Sequence, residues 1–197
     1  MLTVNRRSFL TGGLAFLGLA NLRVSAGGGQ APRVALSDFP FTLGVASGDP
    51  SPDGAVLWTR LAVDPLNGGG MPPVPIDVTW EIARDDRMRR SVRSGHTIAQ
   101  PEWAHSVHVE VDGLEPDRWY WYRFHAGNAS SPIGRTRTLP RPGATVDRLR
   151  IAFASCQNYE MGFFTAYRHA ANDDLDLMFH LGDYIYEGRG DTNRNPA

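Results

Sequence analysis

The chain has 197 residues, 42% hydrophobic and 21% charged, which is the composition of a folded protein of one or two domains. Its formal net charge of −1 excludes a bulk field that would draw it to nucleic acid or to an anionic membrane. The single cysteine, Cys156, excludes an internal disulfide, and all 20 basic residues are arginine, a compositional bias that also suits oxyanion contacts.

The first residues read as a targeting signal spanning 1–29. Arg6 and Arg7 precede Ser8-Phe9-Leu10, and a mildly apolar, glycine-containing stretch runs to about Ala20. That stretch falls short of the roughly 20 apolar residues a membrane span needs. Small residues at Val24-Ser25-Ala26 suit cleavage, and Gly27-Gly28-Gly29 suits a linker. The paired arginines resemble the twin-arginine export pattern. That resemblance implies passage of an already folded protein through the twin-arginine machinery, to a periplasmic or extracellular destination in a bacterial-type host. Such a route suits a protein that acquires a metal before export.

Residues 38–141 read as an all-β module. "SGDPSPDG" is a turn, and "IDVTWEIARD" and "HSVHVEVDGL" alternate apolar and polar residues as half-buried strands do. In "DRWYWYRFHAG", Tyr120, Tyr122 and Phe124 share one strand face and Trp119, Trp121 and Arg123 the other. Aromatic residues on both faces predict that the outer face is covered as well. His105 and His108 are expected on one strand, three apart and so facing opposite sides. Short strands at this spacing predict a β-sandwich. Leu114, Pro116 and Tyr120 are spaced like the turn and tyrosine of fibronectin type III and immunoglobulin-like modules. In that corner the tyrosine hydroxyl bonds back to nearby backbone.

At Arg148 the text changes. "LRIAFASCQN" is a short apolar run, Phe163, Phe164, Tyr167 and Ala170-Ala171 follow at helical spacing, and "LDLMFHLGD" is a second apolar run. This predicts the first β-α-β unit of an α/β domain over 148–197, with parallel strands. The carboxyl ends of parallel strands share one sheet edge, where open α/β sheets bind ligands. Cys156 follows the first strand and Asp183 the second, with strands about 5 Å apart. Tyr186 lies on the same loop as Asp183. A thiolate, a carboxylate and a phenolate are candidate metal ligands: the first and last suit a ferric ion, and the carboxylate can bridge to a harder cation such as calcium. On spacing alone other roles stay open. Cys156 suits a small buried residue, Tyr186 a core aromatic, and Asp183 a turn or cap.

Taken together, "FTLGVASGDPSPDGAVLWTRL", "RIAFASCQN" and "FHLGDYIYEG" closely resemble the alkaline phosphatase D (PhoD-type) family, from the signal to the end of the chain. The resemblance implies a secreted phosphodiesterase or phosphatase in which a small β-sandwich precedes a metallophosphatase domain. It implies iron and calcium at the active centre. Cys156 would correspond to the thiolate ligand of iron, Asp183 to the carboxylate shared by iron and calcium, and Tyr186 to the phenolate ligand of iron. No side chain would act alone as catalyst, since metal-activated water would attack a small-molecule, lipid or polymer phosphate ester. Purple acid phosphatases are the rival: they share the Gly-Asp-x-x-Tyr motif but carry aspartate where this chain has Cys156. A second class of function, a secreted β-sandwich binding module using exposed Trp119 and Trp121, competes with both.

The family's later asparagine- and histidine-bearing motifs have no counterpart after Gly190, and His169 and His180 read as packing or surface residues. Two strands and one helix cannot close a core. The expectation is therefore an N-terminal part of a longer enzyme, inactive alone and holding metal poorly.

Overall fold

The computed structural model of the chain describes residues 36, 38–158 and 163–186. Arg6 and Arg7 lie outside these residues. Among the described residues no helix is long and apolar enough to cross a membrane.

Eight strands build a β-sandwich. β1 (Val45–Gly48), β2 (Ala55–Arg60) and β5 (Ser106–Val111) form one antiparallel sheet in the order β1-β2-β5. The second sheet runs β4-β3-β6-β7, from β3 (Ile76–Ala83), β4 (Ser91–Ala99), β6 (Trp119–Ala126) and β7 (Ala129–Ser130). β8 (Gly134–Arg137) also pairs with β6. Alternation places the core. β2 turns Leu57 and Thr59 inward, β5 turns Val107, Val109 and Val111 inward, and β6 turns Tyr120, Tyr122 and Phe124 inward. A register shift at Ile82/Ala83 in β3 buries two consecutive residues.

Two glycines make room for aromatic rings across the ladder. Gly134 stands opposite Tyr122, and a Cβ there would lie 2.4 Å from the phenol ring. Gly95 stands opposite Trp80, and a Cβ there would lie 2.5 Å from the indole. Burial pushes the Tyr122 phenol up to about 12 against a lowering hydrogen bond with Ser47.

The tyrosine corner forms as the sequence predicts. Tyr120 is 1% exposed, and its hydroxyl accepts the Glu115 backbone N–H at 2.8 Å. Thr138 closes the same corner, its hydroxyl donating to the Glu115 carbonyl at 2.7 Å and accepting the Arg118 N–H at 3.1 Å. In "SGDPSPDG" Ser47 and Gly48 close β1 and the rest turns toward β2, with the Ser51 hydroxyl donating to Asp53 at 2.9 Å.

Some expectations shift in detail. Trp119 and Trp121 are half-buried rather than exposed, and the Arg135 guanidinium lies 4.1 Å over the Trp119 ring. His105 is not on a strand. It precedes β5 with φ of 55°, buried, its ring hydrogen-bonded to the Val74 carbonyl at 3.0 Å, while His108 on β5 is exposed.

Beyond the sandwich, β9 (Ile151–Ala154), α1 (Thr165–Asn172) and β10 (Leu177–His180) form the expected β-α-β unit. β9 and β10 are parallel, with Ile151 opposite Leu177 and Ala154 opposite His180. α1 is shorter than the apolar spacing suggests, because Phe164 adopts a left-handed conformation (φ 52°) and stands outside it as the N-cap. None of its residues is buried.

Candidate metal centre

The site is built where β9 and β10 end. The parallel ladder continues past both strands: the Leu181 N–H donates to Ala154 O at 2.8 Å, Cys156 N–H to Gly182 O at 3.1 Å, and Gln157 N–H to Asp183 O at 2.8 Å. These last two bonds make a backbone bracket between the two loops. Within it Cys156 (φ 57°) and Asp183 (φ 51°) both take the left-handed conformation, a costly one for a non-glycine residue and a recurrent one at functional sites.

The three residues singled out from the sequence meet. The Cys156 thiol donates to Asp183 Oδ2 at 3.5 Å, and the Tyr186 hydroxyl donates to the same oxygen at 3.3 Å. All three side chains are exposed at the sheet edge. The Tyr186 phenol is pushed up to about 12. Its hydrogen bond with Cys156 is the leading cause, followed by desolvation and by the negative charges of Asp183 and Cys156. Two groups that become anionic on losing a proton, Cys156 and Tyr186, thus crowd one carboxylate oxygen of a third, Asp183. The Tyr186 phenol resists ionising there unless a cation joins the group, which inverts the local balance.

The donor set fits a metal. Thiolate and phenolate suit a ferric ion, and a carboxylate already shared by two neighbours suits bridging to calcium. Among the described residues no three of His, Cys, Asp and Glu cluster to hold a metal ion. The convergence here counts only because tyrosine is the third donor.

The histidines stay out of the centre. His180 ends β10 and packs its ring against Tyr184 at 4.8 Å, with Nε2 buried and lacking a hydrogen-bond partner among the described residues. His169 is exposed on α1. What sequence reasoning missed is the backbone bracket through Gly182 and Gln157. Its one visible signal is Gly182, whose φ of 127° frees the chain to turn before Asp183.

Comparison with known proteins then places the chain. The profile described as PhoD-like phosphatase, N-terminal domain, matches residues 28–140, and that described as PhoD-like phosphatase matches residues 151–196. The chain belongs to the PhoD-like phosphatase family. It is 55% identical over 191 residues to alkaline phosphatase D of Bacillus subtilis (strain 168), covering 94% of this chain and 32% of that protein. It therefore spans about a third of the length of this family relative. The solved structure of PhoD superimposes with a TM-score of 0.76 at 61% identity, covering 78% of this chain and 29% of that one. Purple acid phosphatase 23 of Arabidopsis thaliana is 34% identical over 83 residues, covering 40% of this chain and 18% of that protein.

Proposed function

We propose that this chain carries part of the active centre of an exported, metal-dependent phosphate-ester hydrolase of the alkaline phosphatase D type. Residues 1–29 act as a twin-arginine signal, 38–141 as the sandwich, and 148–197 as the opening of the metallophosphatase domain. The observation that carries the reading is the meeting of Cys156 and Tyr186 on one oxygen of Asp183, at the shared exit of two parallel strands.

Cys156 and Tyr186 would hold iron, and Asp183 would bridge iron and calcium. When bound, these metals supply the Lewis acidity that activates water and polarises a phosphate ester. The chain's own residues do the rest. The bracket fixes Cys156 and Asp183 at one distance before any ion arrives. Tyr186 keeps its proton on the hydroxyl until a cation offsets its anionic neighbours. Asp183 Oδ2, already the common acceptor, is oriented for two partners at once. Three side chains do not fill the coordination of two metals, and the remaining ligands come from outside the described residues. The 197-residue chain alone holds metal weakly and turns over no phosphodiester.

The test uses the protein extended to the length of its relatives. Cys156→Ala lowers bound iron at least about tenfold, since such ligands carry the affinity. Iron content equal to the unsubstituted protein removes Cys156 from the centre. Robust turnover of a chromogenic phosphodiester by the 197-residue chain, loaded with iron and calcium, overturns the claim that it is inactive alone.

A further inference from the structure

The strands that end at the metal centre begin at a different junction. Asp176, one residue before β10, has a side chain only 12% exposed. One of its oxygens accepts Arg137 of β8, and the other accepts the Arg150 backbone N–H at 2.9 Å. The Asp176 and Leu177 N–H groups both return to the Arg150 carbonyl, at 3.0 and 3.3 Å. One carboxylate therefore pins the entry of β9 and β10 together. Arg137 is equally committed: it also donates to Asp117 at 2.5 Å, and its guanidinium lies 5.4 Å from the Trp119 ring.

This pair stands almost alone. Arg137 and Asp176 line two cavities, of about 510 and about 410 Å³. Among the described residues no other ion pair crosses from the sandwich to the β9–β10 sheet. Each strand has four residues, about 13 Å of chain. The paired ladder of β9 and β10 runs between the pinned entry and the bracket at the exit.

We infer that Arg137 and Asp176 are positioning residues for the metal centre. They make the sandwich a working part of the site's scaffold rather than an appendage. Holding the strand entries fixes the register of the two exits, and so the approach of Cys156 to Asp183. The importance of that approach rests on the function proposed above; the coupling itself does not.

Amide hydrogen exchange on the 197-residue chain tests the coupling without metal or substrate. In Asp176→Asn, exchange at the exit amides of Cys156, Gln157 and Leu181 accelerates about tenfold or more, while Val78 and Tyr122 in the sandwich stay within about twofold. Arg137→Ala gives the same local pattern. The double variant adds no more than about twofold to either single one, as expected of two residues acting as one unit. Unchanged exchange at the three exit amides, or additive effects in the double variant, overturns the inference. Should Arg137→Ala fail to fold, Asp176→Asn still decides, because it leaves every sandwich residue in place. Failure here leaves the ligand assignment standing, and an iron-content result against Cys156 leaves the coupling standing.

Discussion

The sandwich and the β-α-β unit are made of similar residues and have opposite economies. In β6, Tyr120, Tyr122 and Phe124 are at most 2% exposed. In β9, Phe153 is 74% exposed, and its neighbour Phe179 in β10 is 48% exposed. The sandwich has two sheets to close on each other, whereas β9 and β10 have one helix, none of whose residues is fully buried. Order in the second region therefore comes from backbone pairing and from the Asp176 junction rather than from a core. The candidate site lies where the core does not, a common division in proteins that place reactive groups on loops over a rigid scaffold.

Substitutions should expose this contrast, most strongly in the sandwich. Phe124→Ala empties a fully buried site and should lower the unfolding free energy by about 3–5 kcal/mol, read by urea denaturation. Gly134→Ala forces a methyl into the Tyr122 ring and should cost about 1–3 kcal/mol in the same assay. Tyr120→Phe keeps the ring but strands the Glu115 N–H, for a loss of about 1–2 kcal/mol. If these three leave stability unchanged, the sandwich is not the region that holds the chain together.

A smaller effect sits on the outer face. Glu81 is opposed by burial, but hydrogen bonds from Arg123 at 2.6 Å and His125 at 3.1 Å outweigh it and hold the carboxyl below 4.5. The depressed folded value means that its contribution is fully present above about pH 4.5, the ordinary value, and is lost as pH falls through the lower one. Glu81→Gln should flatten that acid limb, by on the order of 1 kcal/mol or less for a partly exposed pair. A denaturation series from pH 5 to 3 checks it; identical slopes would mean that the pair does not survive in solution.

What could be read from the sequence followed from local pattern. Alternation in "WYWYRFHA" placed the core face of β6, and the spacing of Leu114, Pro116 and Tyr120 gave the corner bond. The convergence of Cys156, Asp183 and Tyr186 followed from parallel strand exits. What stayed hidden depends on partners distant in the chain. The left-handed turns at Cys156 and Asp183 are imposed by bonds between loops, and neither residue type announces one. Arg137 and Asp176 are 39 residues apart, with no periodicity to link them. The early break of α1 at Phe164 contradicts the helical spacing of its aromatics, which backbone conformation overrides.

The least disruptive substitution is the sharpest test of the contrast. Phe153 and Phe124 are both phenylalanines at strand interiors, and by residue type alone their removal should cost the same. Exposure separates them. Phe153 has already left most of its ring in water, so Phe153→Ala gives up little transfer free energy and opens no cavity. The expected change in this chain is within about 0.5 kcal/mol. A loss as large as that of Phe124→Ala, independent of protein concentration, would mean that the β9–β10 face is covered within the chain and that the second region has a core of its own. A loss that grows with concentration would place the cover on another copy. An unchanged midpoint leaves the sandwich as the source of the chain's stability.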